Sequence, residues 1–282
     1  MSKLRDRMLM EMELRNYSQK TIKAYIKHVE HFSRLFKKSP AAMGNTEIRK
    51  YLHHLKQIKK VSWSNINIAY CGLKFFYTKV LHRRWDVEHI PRPRREKKLP
   101  NVLAQSELQL IFDATTNIKH CAMLMVTYSG GLRVSETSHL KITSIESQRM
   151  LIRIDDAKGN KDRYTLLSKV ALKKLRNYYK FYRPTDWLFE GQNKSNPITD
   201  DTIQRVFRDS KEKAGIKKPA TVHTLRHSFA THLMEDGTDI FTIQKLLGHS
   251  YLKTTSTYIH IQNKQLKDII NPLDRMLEEE LS

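Results

Sequence analysis

The sequence predicts a mainly α-helical chain of two domains with a small antiparallel β-sheet. Apolar residues recur at helical spacing along most of its length. Gly and Pro are sparse, at 9 and 8 of 282 residues, which disfavours a sandwich or barrel. One polar segment, Asp155 to Arg163, carries Gly and Asn between two short β-prone runs, Met150 to Ile154 and Tyr164 to Leu167, as a hairpin requires. The length suffices for two modest domains, and a hydrophobic content of 39% supplies their cores.

Residues 1–85 read as a helical bundle. Ser18 caps a helix with Ile22, Tyr25, Ile26, Val29 and Phe32 on one face. Thr46 is expected to cap a second, with Ile48, Tyr51, Leu52 and Leu55, and Ser64 a third, with Ile66, Ala69, Tyr70, Leu73, Phe76 and Val80. Lys and Arg off these stripes suit either a solvated face or a face that grips DNA. Residues 86–101 read as a basic linker: Pro91 to Pro100 holds three prolines and five Lys or Arg, a composition that opposes helix and can lie along phosphates. Residues 102–282 form the second domain, with Ser106 as a cap, the hairpin, and helix again from 184 to the end.

Charge narrows the partner. Lys and Arg number 51 against 29 Asp and Glu, a net of +22, well beyond what solubility needs. A field of that sign attracts polyanions, nucleic acid first. A membrane surface ranks second, but no apolar run approaches the roughly 18 residues of a spanning helix, and the first residues lack the apolar stretch of a signal peptide. Cys71 and Cys121 sit in apolar patterns and read as reduced core thiols of a cytoplasmic protein. The 13 His show no ligand spacing, so no metal is expected.

The chemistry-bearing residues cluster after residue 128. Gly130-Gly131 turns into a helix start with Arg133 at its N-terminus, where anions are favoured. In Thr221 to Leu233, Leu225, Phe229 and Leu233 make one face, while His223, Arg226 and His227 share another, a pairing suited to an anionic ligand. Asp239 caps a short helix with Ile240, Ile243, Leu246 and Leu247 inward, Gly248 ends it in a left-handed turn, and His249 follows. Tyr258 lies on the next helix. Taken singly, such motifs are common as a helix start, a surface cation or a core aromatic.

Together, Gly131 to Glu136, Lys158 in Lys158-Gly159-Asn160-Lys161-Asp162-Arg163, His223-Thr224-Leu225-Arg226, Leu246-Leu247-Gly248-His249, and Thr254-Thr255 to Tyr258 resemble the tyrosine recombinases (phage integrases) in order and spacing. Arg226 precedes His249 by 23 residues and His249 precedes Tyr258 by nine, as in that family. The likeness is close over 131–258 and one of pattern only over the first 85 residues. It implies the tyrosine-recombinase catalytic fold after an N-terminal SAM-like helical core-binding domain. It implies a site-specific recombinase that cleaves and rejoins double-stranded DNA at specific sites through a 3′-phosphotyrosyl bond, with neither ATP nor metal, as a homo-oligomer forming a synaptic tetramer. The implied roles are a phosphate clamp for Arg133 and Arg226, a general acid for Lys158, proton transfer for His223, a phosphate hydrogen bond for His249, support for Glu136, and nucleophilic attack for Tyr258. Arg149, Arg153, Lys161 and Arg163 lie near Lys158, and Lys161 is its rival as acid. An apolar stripe, Leu273, Met276, Leu277 and Leu281, behind Asn271 and Pro272, marks a tail helix that either packs on its own domain or docks on a neighbouring protomer.

Two other readings use the same residues. A type IB topoisomerase shares the Arg, Lys, His and Tyr chemistry on a single duplex. A non-catalytic DNA-binding regulator would take 237–259 as a helix-turn-helix but leaves Arg133, Lys158 and Arg226 unexplained.

Overall fold

The computed structural model describes residues 2–86, 90–92, 101–155, 162–248 and 255. The chain divides into two compact units, residues 1–97 and 98–282.

The first unit is a helical bundle: α1 (Ser2–Glu13), α2 (Gln19–Phe36), α3 (Asn45–Gln57) and α4 (Trp63–Phe75), the last running on into a π-helical turn, Phe76–Val80. Helix α1 was not expected from the sequence; Leu4, Met8, Leu9 and Met12 pack toward the core, but the exposed Met10 and the exposed Leu14 just beyond the helix blur that stripe. Ser18 caps α2 as expected, its hydroxyl accepting from the Thr21 amide at 3.3 Å. The other two caps lie upstream of their expected places. In α3 the Gly44 amide donates to Glu47 at 3.0 Å, so a carboxylate reaching back takes the part given to Thr46. In α4 it is Ser62, not Ser64, that accepts, from the Asn65 amide at 3.4 Å. Phe32, Ile48, Tyr51, Leu73 and Phe76 fill the centre. Each such side chain taken from water contributes about 1.5–3 kcal/mol, which outweighs any single cap. Most of the expected linker, 87–89 and 93–100, lies outside the described residues; within the described part, Arg92 donates to Asn67 at 3.1 Å.

The second unit comprises α5 (Gln105–Ala114), α6 (Ile118–Ser129), α7 (Val134–Ser138), β1 (Ile145–Glu146), β2 (Leu151–Ile154), β3 (Arg163–Leu166), α8 (Lys169–Tyr182), α9 (Asp200–Lys213), α10 (Val222–Glu235) and α11 (Ile240–Leu247). Helix α6 runs through the core, with Ala122, Met123, Leu124 and Val126 fully buried. Helix α5 starts before Ser106, at an Ala104 amide that donates to Glu107 at 2.8 Å. Residues 184–199 are not helical as expected. An antiparallel bridge, Glu190 to Pro197, folds that stretch back on itself.

The expected hairpin is present as β2 and β3, paired antiparallel with Leu151 opposite Leu166 and Ile154 opposite Arg163. A third strand, β1, pairs with β2. In β3 the alternation is inverted. Arg163 and Thr165 are buried, at 8% and 0% exposure, while Tyr164 and Leu166 face outward at 42% and 39%. Thr165 donates to the Gly130 carbonyl at 2.8 Å, tying the strand to the turn ahead of α7. Residues 156–161, 249–254 and 256–282 lie outside the described residues, and with them Lys158, Lys161, His249, Tyr258 and the tail helix. No helix among the described residues is long and apolar enough to cross a membrane.

Candidate active site

Glu136 is the centre of the site. Placed three residues after the N-cap of α7, it reaches back to accept the Arg133 amide at 2.8 Å. Arg133 Nη1 donates to its Oε1 at 2.5 Å. Arg163, entering from β3, donates Nη1 to Oε1 at 2.9 Å and Nη2 to Oε2 at 2.7 Å, a two-pronged guanidinium–carboxylate pair. Arg226 Nη1 stands 3.7 Å from Oε2. These four groups, three cations and one anion, carry a net charge of +2.

Arg226 corrects one expectation. The sequence placed it beside two imidazoles on an open face of α10, but this helix is buried around nearly its whole circumference and Arg226 is 1% exposed. A guanidinium so placed costs several kcal/mol unless it is paired. It donates to the Gly131 carbonyl at 2.7 Å and the Leu247 carbonyl at 2.6 Å. Both acceptors sit at turns only glycine makes easily. Gly131 has φ +57°, and a Cβ there would lie 2.4 Å from the Phe229 ring. Gly248 has φ +63° and ends α11. That end and the Asp239 cap of α11 stand as expected, with Ile243 and Leu247 buried.

His223 is exposed and His227 half-buried, their ring centroids 4.8 Å apart. The protein around His223, then the charges of Arg226 and Arg133, hold its pKa below the ordinary imidazole value, so the ring is neutral at pH 7. Burial, then His223 and Arg226, lower His227 to about 4. Burial alone would raise Glu136; the hydrogen bonds and charge of Arg163, joined by Arg133, prevail and bring it down to about 2. The site thus presents fixed guanidiniums and a neutral imidazole that can take a proton.

Among the expected residues, Arg133, Arg226 and the supporting Glu136 meet, and His223 lies within the field of both arginines. Arg163 was read only as a neighbour of Lys158, yet it makes the bidentate pair with Glu136. Its signal was the phase of β3, since Arg163 and Thr165 share a side and Thr165 is the buried one.

Residues 101–265 match the phage integrase family, and residues 4–87 match the phage integrase N-terminal SAM-like domain. The chain is 40% identical to the Sinorhizobium fredii protein y4qK over 97% of its own length and 89% of the relative's. It is 33% identical to a tyrosine recombinase of Pseudothermotoga lettingae, over 93% and 94% of the two chains. Its fold is similar to that of a lambda integrase crystallised as a tetramer on a Holliday junction, with TM-score 0.74 at 18% identity over 91% of this chain and 76% of that one. The chain belongs to the phage integrase family and is a tyrosine-type site-specific recombinase.

Proposed function

We propose that this chain cleaves and rejoins duplex DNA at specific sites by transferring a strand to Tyr258 as a 3′-phosphotyrosyl ester. The observation that carries the reading is the meeting of Arg133 and Arg226 at Glu136, with neutral His223 in their field. A phosphodiester under attack gains negative charge on its nonbridging oxygens, which guanidiniums stabilise where they stand. An ordinary Tyr is ionised to only about one part in a thousand at pH 7, so attack by Tyr258 needs a proton acceptor and nearby cations. His223 is assigned the proton transfer and His249 a hydrogen bond to the phosphate. Lys158, or Lys161 in its place, protonates the departing 5′ oxygen. The ester keeps the energy of the broken bond, so rejoining needs neither ATP nor metal.

Residues 1–85 serve as the core-binding domain, 86–101 as a basic linker along the phosphates, and 102–282 as the catalytic domain. The net charge of +22 suits that duplex. Exchange takes place between two paired sites in a tetramer, the assembly in which the similar lambda integrase was crystallised. Tyr258→Phe tests the chemistry. Binding to a footprinted site should survive, and the denaturant-resistant adduct on a nicked suicide duplex should vanish; an adduct that persists assigns the nucleophile elsewhere.

A further inference from the structure

Arg163 stands where three segments of the site join. It opens β3, two residues after Lys161 and five after Lys158. Its two Nη atoms hold Glu136, and its Nε donates to the Leu246 carbonyl at 3.0 Å. The next carbonyl along, that of Leu247, accepts from Arg226. The C-terminal carbonyls of α11 are therefore held by guanidiniums from two other elements, at the end where the helix dipole favours cations.

The carboxylate of Glu136 has about four acceptor directions. Arg133 Nη1 and Arg163 Nη1 take Oε1, while the Arg133 amide and Arg163 Nη2 take Oε2. With these filled, Arg226 stays at 3.7 Å, beyond a hydrogen bond. Without Arg163, half of the acceptor capacity reopens beside two arginines, and Glu136 can swing toward Arg226.

We propose that Arg163 is a positioning residue for the strand-transfer site: its fork saturates and fixes Glu136, and so sets the places of Arg133 and Arg226 while tying the hairpin base to the end of α11. The proposal rests on the function proposed above and adds a residue to it. Side-chain charge alone does not meet the requirement, because a lysine ammonium cannot bridge both carboxylate oxygens and the Leu246 carbonyl.

The test compares the full-length wild type with Arg163→Lys. The Glu136 carboxyl, followed by carbon-13 NMR of labelled glutamate, should titrate well below the ordinary glutamate range in the wild type and move up toward it in the variant. On a nicked duplex carrying the footprinted site, affinity should stay within about twofold, since many other cations hold the backbone. Single-turnover cleavage should fall by about tenfold to a hundredfold, as for a misplaced site. Arg163→Ala, if it folds, should regain part of its rate with millimolar guanidinium and none with sodium at equal ionic strength. An unmoved Glu136 titration, or wild-type cleavage by the lysine variant, overturns the proposal. So does a lysine variant that loses affinity and cleavage by one common factor, because that marks general damage to the fold. A wild type that forms no adduct defeats the proposed function instead, and the Glu136 titration still decides the case for Arg163.

Discussion

The two units fill their interiors differently. Among the described residues, every buried Ser, Thr and charged side chain lies in the second unit, while the first buries apolar and aromatic groups alone. The bundle of 1–97 therefore displays its core in its sequence: Ile22, Ile26, Val29 and Phe32 mark the inner face of α2 at helical steps. The centre of 98–282 holds Arg163 and Arg226 against Glu136, and no hydropathy period announces them. A hydrophobic interior can be read position by position, whereas a buried ionic one is legible only once its partners are known.

The hardest blow to this contrast is Glu136→Ala. Removing the shared anion leaves Arg163 and Arg226 buried without it, a change expected to cost about 3–5 kcal/mol. Hydrogen exchange should quicken in β2, β3 and α11, and stay at wild-type rates in α2 and α4. Equal loosening of both units would break the comparison.

Acid sharpens it next. Glu136 has its folded pKa depressed to about 2, so its contribution is complete above the ordinary glutamate value and is lost as pH falls from there toward 2. His227, depressed to about 4, stays neutral when folded while the unfolded chain takes up a proton, so stability also falls between about 6.5 and 4. Each is worth on the order of 3 kcal/mol at the acid limit. In the first unit, burial also lowers His28, while Glu47 is shifted only at the surface, so α2 and α4 should outlast β3 on acidification. Region-resolved exchange from pH 7 to pH 3 checks the order, and earlier opening of α2 would reverse it.

The smallest effect is a cap. Ser18→Ala removes one acceptor from the start of α2 and should cost about 1 kcal/mol. It should appear in urea unfolding as a lower midpoint at unchanged slope, with exchange in β3 unaltered.

What the sequence made legible follows the same division. The α2 stripe and cap, the hairpin, and the Asp239 to Gly248 helix stand where local chemistry put them. The caps expected at Thr46, Ser64 and Ser106 were misplaced because a hydroxyl marks a helix start only when no better acceptor is near. In α3 and α5 a glutamate reaches back instead, and in α4 an earlier serine serves. Arg133, His223 and Arg226 were singled out by ordered motifs, not by pattern, and the open face expected for Arg226 is absent because its guanidinium binds backbone carbonyls inside the fold. Arg163 was passed over because alternation in β3 points its apolar residues outward, against the usual rule.

The left-handed turn at Gly248 reaches further than the end of a helix. A methyl group there would lie 2.7 Å from the Arg163 side chain, on a backbone with φ +63° that side chains avoid. A side chain at 248 would thus strain its own backbone and also displace the Arg163 stem, the same stem that carries the fork onto Glu136. The last residue of a helix turn is in this way connected to the carboxylate at the centre of the site through one arginine, by sterics at one end and by charge at the other.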